Sequence, residues 1–243
     1  MSEEQYNFVT NHFKKVYMGY LNDDINSMLN MELSPAQLES GSCAAPLAML
    51  VFSSMNILGY LTSPQDTAAI ENPREEPHTT VCIKDFCTHW MAKVDPIYGQ
   101  PKIPDILLKL YRHSHAHQLL PEYGHAGITR NDADQAVLFN KVRLANHYLI
   151  CLMNANVFAK DMQKTLPMIY AELRTDSDLL NRFYERLRRR FQGPPRIDLE
   201  DVEIPEREVL IVTGTTTTTT ITDSSAVISY TSIPPSWAGE SNS

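Results

Sequence analysis

The 243-residue sequence predicts a mainly α, multi-helix bundle followed by a C-terminal β-hairpin or irregular appendage. Three observations carry this expectation. Apolar residues recur at three- and four-residue intervals over most of residues 1–192. One segment, Cys43 to Leu61, is apolar on nearly every helical face, as a central helix must be. Past Gly193 the helical period is lost, and a threonine run with β-branched neighbours replaces it. The chain therefore divides into a helical domain, 1–192, and a Thr-rich, β-containing or partly disordered segment, 193–243.

The first helix is expected over residues 5–31, with Phe8, His12, Val16 and Tyr20 four apart and Asn22-Asp23-Asp24 as a point where it either breaks or continues. CAAPLAMLVFSSMNILGYL follows, with Pro46 in its first turn, where a missing N–H is tolerated. It is barely of membrane-spanning length and lacks basic flanks, so a buried core helix is expected instead. Residues 62–80, with Pro64, Pro73 and Pro77, read as a loop. Residues 81–94 read as a helix directing Val81, Phe86, Trp90 and Val94 inward. Ile106, Leu107, Leu110 and Tyr111 then form a stripe leading into a histidine cluster. Asp132 to Phe158 reads as the clearest long helix, capped by Asp132 or Asn131. Asp161–Leu173 and Ser177–Phe191 complete the bundle, and RLRRRFQGPP is a helix stop. In the last segment, Glu208 to Val212 and Val227 to Tyr230 are the short β candidates.

Composition narrows the class of function. The net charge is −8, with residues 159–192 at +3 and residues 193–243 at −6. This balance disfavours a duplex-DNA binder, whereas a small single-stranded site needs only a few local cations. Cys43, Cys82, Cys87 and Cys151 show no paired CxxC spacing, so reduced thiols in a cytoplasmic protein are expected. The opening MSEEQYNF has no basic region followed by an apolar run and does not read as a signal peptide.

Chemistry concentrates in Tyr111-Arg112-His113-Ser114-His115-Ala116-His117-Gln118. Three readings of it stand side by side. His113, His115 and His117, with His125 returning later, carry residue types and spacings that can ligate zinc or nickel. The same imidazoles can instead donate to buried carbonyls while Arg112 pairs with an acid or caps a helix. Alternatively, a neutral imidazole can remove the proton of a ribose 2′-hydroxyl, with a guanidinium holding the phosphoryl oxygens. That last chemistry needs no metal or cofactor, because the neighbouring hydroxyl is an internal nucleophile.

Residues 112–117 resemble the R-x4-H motif of the HEPN superfamily, all-helical proteins typified by toxin and defence ribonucleases. An apolar helix followed at a distance by DILLKLYRHSHAHQLLPEYG is also similar to a group of uncharacterised bacterial helical proteins, over about residues 40–160. His115 stands where that group more often has an apolar residue. The resemblance implies a HEPN-like bundle and a metal-independent endoribonuclease with Arg112 and His117 as catalytic pair and His113 as the polar motif neighbour. It further implies a homodimer with the site at its interface, an RNA substrate and a cognate inhibitor protein. Five helical positions rotate a side chain by about 140° net, so a bend or a second copy must unite Arg112 with His117. Arg186, Arg189 and Arg190 are expected on one helix face as phosphate contacts, with Leu187 and Phe191 on the buried side. A noncatalytic helical interaction protein, and a histidine-cluster metal binder, are the competing expectations.

Overall fold

A computed structural model describes residues 2–39, 43–71, 77–113, 125–130, 137–143 and 149–192. The chain separates into two compact units, Met1–Arg188 and Arg189–Ser243. The first is a mainly α, multi-helix structure with one small β-sheet; in the second, the described residues are the last turn of the final helix.

α1 (Glu3–Phe13) passes through a π-helical segment, Lys14–Leu21, into α2 (Asn22–Leu29) with helical backbone at every junction. The chain thus runs through Asn22-Asp23-Asp24 without a break. The start is fixed by a reciprocal cap in which Ser2 Oγ accepts from the Gln5 N–H and Gln5 Oε1 accepts from the Ser2 N–H. Inward, Val9, Phe13, Tyr17 and Ile25 are buried.

His12 lies between the rings of Phe8 and Tyr17, with centroids 6.1 and 6.0 Å away. Burial lowers its pKa from 6.5 to about 4. Below pH 6.5 the unfolded chain takes up a proton that the folded chain refuses, so His12 weakens stability progressively from pH 6.5 to about 4 and not further below. The expected loss across that window is about 2–3 kcal/mol. Urea unfolding at pH 7 and about pH 4.5 should show it in the wild type and show a smaller difference in His12→Leu. An equal pH dependence in both proteins would contradict the assignment.

After α3 (Pro35–Glu39), α4 (Ala44–Thr62) is the central helix, and twelve of its nineteen residues are buried. By length and composition it could cross a membrane, but its apolar sides are covered by other helices of the same chain. Its N-cap, Cys43, has left-handed backbone with φ 59°. At Gly59 an added Cβ would stand 2.1 Å from the Cys82 carbonyl oxygen of α6 (Thr79–Phe86). Only glycine permits this approach of the two backbones. The loop between them contains a one-turn helix, α5 (Thr67–Ile70).

α6 continues through a π segment, Cys87–Met91, into α7 (Ala92–Val94). Its buried set is Cys82, Ile83, Phe86, Cys87, Trp90 and Met91, whereas Val81 and Val94 of the expected set are only half-buried. The wider π turn shifts which positions face inward. Trp90 Nε1 donates to Thr62 Oγ1 at 2.9 Å, and Ser63 and Gln65 both donate to the Asp85 carboxylate. These bonds tie the end of α4 to α6. All four cysteines are free thiols, Cys82 and Cys87 buried, Cys43 and Cys151 half-buried.

The expected helix over Asp132–Phe158 does not form among its described residues before Ala155. Phe139–Arg143 is a strand, β2, and Leu149–Asn154 is a strand, β3. With β1 (Ala126–Thr129) they form a sheet of order β1-β3-β2, β3 running parallel to β1 and antiparallel to β2. A short apolar run such as Leu149-Ile150-Cys151-Leu152-Met153 fits a central strand as well as a helix face, and periodicity alone cannot separate the two. The helix cap is Asn154, whose side-chain oxygen accepts from the N–H groups of Asn156 and Val157. It opens α9 (Ala155–Leu173), and α10 (Ser177–Gln192) follows.

α9 lays Phe158, Met162, Leu166 and Ile169 into the core, with the Phe158 ring 5.0 Å from that of Phe52. Phe183 of α10 meets Phe13 at 6.0 Å and Tyr17 at 6.5 Å. The C-terminal β candidates, 208–212 and 227–230, lie outside the described residues.

Candidate functional site

The chain approaches the R-x4-H segment through α8 (Ile103–Ile106), with Pro104 in its first turn, and then a π-helical segment, Leu107–His113. Leu107, Leu108 and Tyr111 are buried, while Ile106 and Leu110 of the expected stripe are half-buried. The i→i+5 bonding widens the turn and changes the inward set, as in the preceding helix. Arg112 and His113 follow directly in its last turn, both half-buried. Among the described residues the Arg112 guanidinium has no ion-pair partner.

Tyr111 anchors this turn. Its side chain is fully buried, its hydroxyl donates to the Cys151 carbonyl of β3 at 2.6 Å, and its ring stacks on Phe139 of β2 at 5.9 Å. Burial, reinforced by the adjacent Cys151 side chain, pushes the phenol pKa far upward, so the hydroxyl stays protonated and donates. On the other side of the segment, the Cys151 N–H donates to the His125 carbonyl at 2.9 Å. The His125 residue itself is exposed.

His115 and His117 lie outside the described residues, so the structure places Arg112, His113 and His125 of the cluster and not the other two. Among the described residues no three His, Cys, Asp or Glu side chains converge in a metal-binding group.

The expected phosphate face of Arg186, Arg189 and Arg190 is divided. Arg186 is 2% exposed and inserted at the end of α4. Its Nη1 donates to the carbonyls of Tyr60 at 2.6 Å and Ser63 at 2.8 Å, and its Nη2 to that of Gln65. The guanidinium is thus committed to carbonyls that the helix end leaves without partners. Arg189 and Arg190 are exposed, and Phe191, expected to be buried, is 48% exposed. The true inward row of α10 is Leu179, Leu180, Phe183, Tyr184 and Leu187, with Arg186 beside it.

Two side chains matter here that the sequence does not single out. Tyr111 reads in the sequence as the end of an apolar stripe and the first residue of the histidine-rich stretch; its hydroxyl has a role that spacing does not reveal. Arg130, 3% exposed after β1, joins three elements: Nε donates to Asn156 Oδ1 at 2.9 Å, and Nη2 donates to the carbonyls of Met28 at 2.7 Å and Leu29 at 3.2 Å. The Asn156 amide returns a bond to the Arg130 carbonyl at 2.9 Å. No local pattern marks such a long-range contact in advance.

No family model matches the chain, and neither the curated proteins nor the solved structures yield a match.

Proposed function

We propose that the chain is a metal-independent endoribonuclease of HEPN type, acting through Arg112 and His117. The observation that most supports this reading is Arg112 itself: a half-buried residue, its guanidinium without an ion-pair partner among the described residues, directly after a residue fixed in the core. A cation held this way is suited to a phosphodiester, whose two nonbridging oxygens match the guanidinium fork.

RNA is the substrate class because the 2′-hydroxyl supplies the nucleophile. His117, as a neutral imidazole, accepts the 2′-hydroxyl proton as the oxygen attacks the adjacent phosphorus. The P–O5′ bond breaks and the departing 5′-oxygen takes a proton from water, leaving a 2′,3′-cyclic phosphate on one fragment and a 5′-hydroxyl on the other. Arg112 stabilises the negative charge that grows on the phosphoryl oxygens. A site shared between two copies, each presenting Arg112 opposite the other's His117, is the arrangement that the HEPN resemblance implies. Purified protein should cleave a mixed single-stranded and structured RNA pool with EDTA present. Intact RNA across the whole pool would overturn the proposal.

A further inference from the structure

Cys151 holds both flanks of the histidine-rich segment through one residue's backbone. Its carbonyl accepts the Tyr111 hydroxyl on the near side, and its N–H donates to the His125 carbonyl on the far side. Cys151 is itself held within the sheet, in register with Ala126 of β1 and Lys141 of β2. Binding both flanks to one central-strand residue fixes where the segment begins and ends before any substrate arrives.

We infer that Tyr111 is a positioning residue for Arg112, its hydroxyl bond to the Cys151 carbonyl setting where the neighbouring guanidinium meets the phosphate. This rests on the endoribonuclease reading and extends it to a residue outside the R-x4-H motif. The physical basis is the short lever between the two residues. Arg112 follows Tyr111 in a helical turn, so a shift of the Tyr111 backbone moves the guanidinium with it. Sub-ångström placement matters where charge develops in the transition state. The hydroxyl does no chemistry: its donor is committed to a carbonyl inside the fold.

Tyr111→Phe removes the hydroxyl and its bond to the Cys151 carbonyl and keeps the ring packed on Phe139. Tyr98→Phe is the matched control, because Tyr98 is equally buried and its hydroxyl donates to Asp161 Oδ2 of α9 at 3.1 Å, away from the motif. With a defined RNA, Tyr111→Phe should lower kcat by about 10- to 100-fold and leave KM within about twofold. Tyr98→Phe should keep the wild-type kcat while thermal stability falls by a comparable amount. Wild-type kcat in Tyr111→Phe, or an equal fall in both variants, would overturn the inference while the endoribonuclease reading stands. Absence of cleavage by the wild type would overturn the reading and the inference with it.

Discussion

Replacing Arg186 with alanine should destabilise the protein by about 3–5 kcal/mol, the largest stability effect expected of a single polar side chain here. Three carbonyls, from Tyr60, Ser63 and Gln65, are left without this donor at once, at a site where the guanidinium is almost wholly shielded from water. A buried acceptor left without a partner costs about 1–3 kcal/mol, and the emptied volume beside Tyr60 adds a cavity term. The guanidinium centre also sits 5.7 Å from the Tyr60 ring, within range of a cation–π attraction that alanine cannot make. Arg186→Lys should recover little, since a single ammonium cannot span the fan of acceptors that the planar fork reaches. Chemical denaturation of both variants measures this directly. A destabilisation below about 1 kcal/mol in Arg186→Ala would show that the carbonyls find other donors.

The largest effect on rate is expected at His117. On the proposed mechanism, replacing it with alanine removes the acceptor of the 2′-hydroxyl proton, and turnover should fall about 10²- to 10⁴-fold. Substrate affinity should change far less, because the interaction belongs to the transition state. The unfolding midpoint should stay near that of the wild type. His115→Ala, two residues away in the same histidine-rich stretch, separates the assignments: the acid–base reading leaves its turnover near wild type. A fall as large as that of His117→Ala would point to a joint role for the imidazoles.

The helices are legible wherever periodicity coincides with a long apolar face. Cys43 to Leu61 announces a central helix, and only the close backbone approach at Gly59 has no local sign, because it depends on where α6 crosses. Residues 139–154 mislead for a physical reason. Val137, Asn140 and Cys151 fall at helical intervals, yet Leu149 to Met153 also make a short continuous apolar strand, and the choice between them is decided by pairing with β1 and β2. Arg186 reads in isolation as one more cation of a basic helix end. Its role follows from the end of α4, more than 120 residues earlier, where carbonyls need donors. Arg112 is visible through its motif, whereas Tyr111 differs from an ordinary core aromatic only by a hydroxyl bond 40 residues along the chain.

The most direct test of the proposed chemistry is the end-group analysis of RNA cut by the wild-type protein in EDTA, run beside His117→Ala. Internal attack by the 2′-hydroxyl predicts fragments ending in 2′,3′-cyclic phosphate, their partners beginning with 5′-hydroxyl, and near-complete loss of both in the variant. Fragments bearing 5′-phosphate and 3′-hydroxyl ends, or equal cleavage by the two proteins, would contradict it.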